Sequence, residues 1–260
     1  MEAKELVIGV VESMQPISLD EMDGIKLMNR VDTKYIMPLC RLPQILELAR
    51  DYYRIMEVNG SRVSRYSTLY YDTESIDMYR THQRGKLNRQ KLRTRTYIET
   101  SEAFLEIKNK TNRGRTKKKR ISIPEEQMVD FSMNPVAVGF VAERARYRLE
   151  DLRPTLYTRF SRITLVNNEK SERVTIDLAP SFENVLNGKE SVFDELVIVE
   201  LKQSGNCFSK LSNILLRSSI HPFRVSKYCL GMATTNPDAP KHRIKWKIRY
   251  IDKMIKTQRV

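Results

Sequence analysis

The sequence predicts an α+β fold in which a β-sheet curls into a barrel around a basic interior, with helices packed outside. Three observations carry this expectation. Charged and apolar residues alternate along several strand-like segments, and in an extended chain such alternation sends the charges to one face. Stretches with helical spacing of apolar residues lie between and after those segments. The chain of 260 residues also bears a formal charge of +14, which attracts polyanions.

The segment 1–27 opens the chain. Its apolar run, Leu6 to Val11, is short and is preceded by Glu2, Lys4 and Glu5, so it lacks the apolar region of a secretory signal. No stretch approaches the roughly 20 apolar residues that span a bilayer. Cys40, Cys207 and Cys229 are far apart and form no CxxC pair, which argues against a disulfide framework or a structural zinc site. A cytoplasmic, reducing location is expected.

Arg41–Tyr52 has helical rhythm, with Ile45, Leu46, Leu48, Ala49 and Tyr52 on one stripe and Pro43 near its start, where proline is tolerated. Val63–Tyr71 is rich in aromatic and β-branched residues and reads as a strand ending in a turn at Asp72-Thr73. A loop is expected over Thr81–Arg89. In Lys91–Ile98 the residues Lys91, Arg93, Arg95 and Tyr97 oppose Leu92, Thr94, Thr96 and Ile98. Phe104–Lys110 repeats the arrangement, with Glu106, Lys108 and Lys110 opposed to Leu105 and Ile107. The basic run Arg113–Arg120 is expected to bridge two strands. Val136–Glu150 is a further helical segment. Arg173, Thr175 and Asp177 then oppose Val174, Ile176 and Leu178, and Glu200 and Lys202 oppose Val197, Val199 and Leu201. Phe208–Ser218 places Leu211, Ile214 and Leu215 at helical spacing. The tail, residues 237–260, is basic, with Ile244, Ile248, Ile251 and Ile255 on one stripe. Such a stripe can pack on the domain, the expectation here, or make peripheral membrane contact.

A strand with one charged face usually turns that face to water, and an ordinary half-exposed sheet would account for each segment singly. The alternative is a tunnel lined by the charged faces. Burying like charges is costly unless carboxylates, water or a bound polyanion compensate, so a tunnel presupposes a highly charged ligand.

Several chemistries lack their motifs. There is no GxxxxGK[ST] loop and no GxGxxG. His82, His221 and His242 have no zinc-ligand spacing, and no serine or cysteine has an evident partner base. Phosphoryl transfer needs little beyond what is present, because fixed Arg and Lys residues and a divalent cation can position and neutralise phosphate oxygens without a protein nucleophile. Arginine grips phosphate bidentately, and carboxylates can hold Mg²⁺ or Mn²⁺.

The succession Arg30-Val31-Asp32-Thr33-Lys34-Tyr35, Tyr70-Tyr71-Asp72-Thr73, Leu92-Arg93-Thr94-Arg95-Thr96-Tyr97 and Leu105-Glu106-Ile107-Lys108 resembles the VTC (vacuolar transporter chaperone) domain of the CYTH-like, triphosphate tunnel metalloenzyme superfamily. Phe160-Ser161-Arg162, Arg173-Val174-Thr175-Ile176-Asp177, Val199-Glu200-Leu201-Lys202 and Arg224-Val225-Ser226-Lys227-Tyr228 continue it in order, and the tunnel domain is placed at residues 28–236. The resemblance implies an antiparallel tunnel of about eight strands and a metal-dependent polyphosphate polymerase that moves the γ-phosphate of ATP onto inorganic polyphosphate or pyrophosphate. It implies catalytic roles for Lys34, Arg93, Arg95, Arg162 and Lys227. Phosphate-binding roles fall to Lys108, Arg120, Arg173, Arg224 and Ser226, with Lys118 near a tunnel mouth. Glu200 would hold Mn²⁺ or Mg²⁺, with Asp177 and Glu106 as weaker metal candidates.

Two positions depart from the family pattern: Asp32 stands where related enzymes often carry glutamate, and Phe160 where tyrosine is expected. Alternatives to the polymerase are an inorganic or nucleoside triphosphatase and a non-catalytic polyphosphate-binding or sensing domain. Specific nucleic-acid binding is not expected, because the chain lacks a helix-turn-helix, an RNP-type aromatic pair and a zinc motif.

Overall fold

A computed structural model describes residues 2–23, 30–205 and 207–257. The expected boundary between residues 27 and 28 lies outside them. The chain opens with α1 (Ala3–Ser13), β1 (Pro16–Ser18), α2 (Leu19–Asp23), β2 (Arg30–Pro38), α3 (Leu42–Ala49) and β3 (Tyr53–Glu57). Next come β4 (Ser64–Thr73), α4 (Asp77–Gln83), β5 (Arg89–Tyr97), β6 (Glu102–Lys110), β7 (Thr116–Ile123) and α5 (Pro135–Arg144). The second half holds β8 (Leu152–Asn167), β9 (Glu172–Asn184), β10 (Glu190–Val192), β11 (Leu196–Ser204), α6 (Lys210–Arg217), α7 (Lys227–Thr235) and α8 (Lys245–Lys256).

The strands form one sheet whose main path runs β2-β11-β9-β8-β4-β5-β6-β7. Every pairing is antiparallel except β1 with β3. Register sets the two faces. Lys34 lies opposite Glu200, Arg162 opposite Asp177, and Arg93 opposite Glu106, so the charges of these three pairs fall on one side. The other side is apolar and takes the helices. α1, α3 and α6 cover Tyr35, Met37, Ile163, Leu165, Val174, Ile176, Val197 and Val199. α5 covers Leu69, Leu92, Leu105 and Ile107.

The charged face is concave. Lys108 on β6 feels Glu200 on β11 and Lys34 on β2, although β5, β4, β8 and β9 intervene in the strand order; only a curled sheet brings them together. Among the described residues β2 and β7 do not pair with each other, so hydrogen bonds do not close the barrel. The free edge of β2 is instead met by the segment before α7, through a bridge between Tyr35 and Pro222, and Lys91 of β5 reaches Ser226 in the same segment at 2.8 Å. One end of the concave face is plugged by α7, whose Tyr228, Leu230 and Met232 pack on Ile36, Tyr70, Leu156, Phe182 and Ile198.

Several local expectations change. Asp72-Thr73 is no turn: β4 continues through it, and the buried Asp72 carboxylate accepts the N–H groups of Met78 at 2.8 Å and Tyr79 at 2.9 Å. That satisfies the first turn of α4, which occupies part of the expected loop. Most of the basic run is strand β7, not a connection, because Lys118 and Arg120 fall opposite Lys108 and Glu106, and lysine suits an exposed edge strand. The helix expected to reach Glu150 stops at Arg144. There Gln90 donates to the Arg144 carbonyl and accepts the Arg146 N–H, each at 3.1 Å. The isoleucine stripe of the tail packs on the domain: Ile244 and Ile251 are buried, with Ile248 and Ile255 against the same cluster. No helix among the described residues is long and apolar enough to cross a membrane.

Candidate functional site

On the concave face Glu106, Asp177 and Glu200 are each clasped by cations. Glu106 pairs with Arg93 at 2.7 Å and with Lys118. Asp177 receives Arg162 through Nε at 2.5 Å and a second guanidinium nitrogen at 3.0 Å, and also Lys227. Glu200 pairs with Lys34 at 2.7 Å and Lys202 at 3.3 Å. Burial works against the charge of all three, yet the surrounding cations hold Glu106, Asp177 and Glu200 well below the usual carboxylate range.

Among the described residues, Arg95, Lys91 and Lys108 on this face have no acid partner within bridging distance. Arg95 is only 8% exposed; it donates to the Thr68 hydroxyl at 3.1 Å and lies over the rings of Tyr66 and Phe160. Lys91 donates to Ser226 and sits over the Tyr228 ring at 5.7 Å. Burial, reinforced by Arg93, Lys91 and Lys34 against the pull of Glu200, brings Lys108 down to about 8. Lys227 also falls to about 8, through burial first and then Arg162 and Lys34, despite Asp177. For Tyr70, burial raises the phenol, but Arg93, Lys91 and Arg95 outweigh it and carry the group down to about 7. Buried and half-buried cations short of counter-ions in a concave site are the electrostatic signature of an anionic ligand.

The remaining candidates are placed as follows. Arg120 lies over the Phe104 ring at 4.2 Å on edge strand β7. Arg173 donates to the Met22 carbonyl at 2.8 Å, beside α2. Arg224 is exposed on the segment before α7. Ser226 caps α7 by accepting the Cys229 N–H, and the positive end of that helix dipole adds to the field at Lys227. Asp32 lies opposite Lys202 in the β2–β11 register.

Sequence reasoning missed an aromatic layer. Phe160 stacks on Tyr66 with centroids 5.3 Å apart, Tyr66 meets Tyr97 edge-on at 5.0 Å, and Lys227 sits 4.2 Å above the Phe160 ring. Position 160 thus provides a cation–π surface where a hydroxyl was expected. The signal was the period-two run Tyr66, Thr68, Tyr70, which puts all three on the charged face. Lys91, on that face in the sequence but without an assigned role, is a second omission.

No three His, Cys, Asp or Glu side chains converge as a metal cage among the described residues. Magnesium-type ions are nevertheless often held by one or two carboxylates together with substrate phosphates, and the site fits that mode. Asp177 is locked by the guanidinium fork of Arg162 and Glu106 by that of Arg93. Among the described residues Glu200 is held by flexible lysines alone, so it is the carboxylate whose partners can swing to a phosphate and leave an oxygen for a cation.

The fold and site together define a curled antiparallel sheet with helices packed on its outer face and a cation-rich concave face. The chain belongs to the VTC domain family, whose model matches residues 29–236. No curated protein matches it. Among solved structures, a candidate adenylate cyclase from Vibrio parahaemolyticus shares 12% identity, covering 79% of this chain and 99% of its own, with a TM-score of 0.47. A Hippeastrum protein, named as a candidate adenylyl cyclase and described as having a dominant triphosphatase activity, shares 14% identity over 82% of this chain and 100% of its own, with a TM-score of 0.48. A Pyrococcus horikoshii protein shares 16% identity over 78% and 97%, with a TM-score of 0.43.

Proposed function

We propose that the protein is a polyphosphate polymerase, transferring the γ-phosphate of ATP onto the end of an inorganic polyphosphate chain held in the concave face. The observation that carries this reading is a run of cations with no acid partner among the described residues, the buried Arg95 and the half-buried Lys91 and Lys108, beside the partnered set Lys34, Arg93, Arg162 and Lys227. Together they can neutralise a string of phosphates. In the transfer a terminal phosphate oxygen of the chain forms the new P–O bond, the β–γ anhydride breaks, and ADP leaves. Arginine and lysine groups fixed on strands suit such a step, because it is governed by alignment and by charge on the equatorial oxygens.

A phosphate nucleophile is already ionised, whereas water must lose a proton. Glu106, Asp177 and Glu200 are each clasped by cations and held strongly acidic, which makes them poor general bases. Glu200, with phosphate oxygens of the substrate, would hold Mg²⁺ or Mn²⁺, and the ion would supply further neutralisation of phosphate charge.

The test is incubation of purified protein with γ-labelled ATP and Mn²⁺ or Mg²⁺, followed by gel separation of polymer from free phosphate. A polymer ladder that disappears in Glu200→Gln and Arg95→Ala is expected. Free phosphate alone would replace the reading with a triphosphatase; tight tripolyphosphate binding with neither product would replace it with a binding domain.

A further inference from the structure

Phe223, Trp246 and Tyr250 form an aromatic cluster at the seam of the sheet. The Phe223 N–H donates to the Lys34 carbonyl at 2.7 Å, next to the bridge between Pro222 and Tyr35. Residues opposite each other in an antiparallel pair share a face, so Phe223 lies on the side that bears Lys34 and Glu200. Its ring stacks on Tyr250, with centroids 5.2 Å apart and planes 17° from parallel, and meets Trp246 edge-on at 5.7 Å.

The packing of α8 does not explain this cluster. Its isoleucines already anchor the helix, while Trp246 and Tyr250 remain 57% and 52% exposed. Cations flank the rings. Lys247 Nζ lies 5.7 Å from the Phe223 centroid and 5.4 Å from that of Trp246, and it donates to the Arg224 carbonyl. Arg224, the residue after Phe223, bears electrostatically on Lys110 of β6, so the rings sit where basic groups of the concave face reach the seam.

Exposed aromatic faces beside phosphate-seeking cations are the chemistry of a nucleobase platform, since every base has a π-face and a trailing phosphate group. Resting on the triphosphate reading of the tunnel, we propose that Trp246, supported by Phe223 and Tyr250, stacks the base of a nucleoside triphosphate whose phosphates lie toward Lys34 and Arg224. The cluster then distinguishes a nucleoside triphosphate from inorganic tripolyphosphate, which has nothing to stack.

Trp246 is the single tryptophan of the chain, so its fluorescence reports this site directly. The full chain is titrated with ATP and with inorganic tripolyphosphate in chelator, and affinities are measured by calorimetry. ATP is expected to quench the emission and tripolyphosphate to leave it largely unchanged. Trp246→Ala should weaken ATP roughly tenfold and tripolyphosphate by no more than about twofold, with Trp246→Phe retaining most of the ATP affinity. Tyr250→Ala, read by calorimetry, should act in the same sense.

Tight tripolyphosphate binding with no quenching by ATP and no selective loss in the variants would sink the stacking proposal and leave the tunnel reading intact. If neither triphosphate binds, the tunnel reading fails and the proposal with it. A blue-shifted emission on phosphatidylglycerol vesicles, without any response to ATP, would overturn the proposal in favour of a lipid-docking face.

Discussion

On the proposed reading, the charge on individual lysines sets when a phosphate ligand can bind. Lys108 and Lys227 both titrate near about 8, brought down from 10.5 by burial first and by neighbouring cations second. Below that pH they are charged and attract phosphate; above it they are neutral. Affinity for tripolyphosphate should therefore fall as pH rises through about 8, and binding should take up protons there, because the polyanion raises both lysine pKa values. Calorimetry in buffers of different ionisation enthalpy measures the uptake, and an affinity unchanged between pH 7 and 9.5, roughly the span on either side of that titration, would contradict the assignment. Stability of the free protein has the opposite sign. Between about 8 and 10.5 the unfolded chain binds more protons than the folded one, so these lysines favour folding more as pH rises and that contribution is lost as pH falls through 8.

At the scale of elements, α7 joins the plug to the chemistry. Its first residue, Lys227, reaches Asp177, while its later turns fill the end of the concave face. Gly231 is where the fit is tightest: a Cβ there would lie 2.6 Å from both Leu156 Cδ2 and Phe182 Cδ1. A leucine terminus can move, but a packed ring cannot without disturbing its neighbours. Gly231→Ala should destabilise the fold by about 1–3 kcal/mol, read by urea denaturation, and should loosen tripolyphosphate binding by displacing Lys227. Full stability in the variant would show that α7 has room to shift. Asp72 belongs to the same element-level logic, since its carboxylate joins β4 to the first turn of α4 and accepts the Tyr228 hydroxyl of α7.

For the whole molecule, a concave face rich in like charges is a liability when empty and an asset when filled. A ligand that binds only the folded state at a hundred times its dissociation constant stabilises by about 2.7 kcal/mol, and for a domain of this size each kcal/mol moves Tm by about 2–4 °C. Tripolyphosphate at that level should raise Tm by roughly 5–10 °C, whereas sodium chloride of equal ionic strength should not. Equal shifts from both would mean that general screening, rather than occupancy of the tunnel, relieves the repulsion.

The period-two alternation in Lys91–Ile98, Phe104–Lys110 and the segments around Asp177 and Glu200 already contained the charged face, because strand geometry alone sends every second residue to one side. Helical spacing likewise identified Ile45, Leu46 and Ala49 in the core of α3, whereas Leu48 and Tyr52 of the same expected stripe are exposed, and it identified the core of α6 and the isoleucine stripe of α8. What no local pattern contained is how those charges meet. The register that sets Arg93 against Glu106, the approach of Lys227 to Asp177, and the placement of Phe223 beside Lys34 join residues far apart in the chain. They are decided by the curl of the sheet and by α7 packing into it, which depend on the shapes of several distant elements at once. The sequence by itself therefore determined that a basic, strand-borne face exists and which residues lie on it; only the tertiary structure decided which cations are paired, which are left for a ligand, and where the aromatic rings stand beside them.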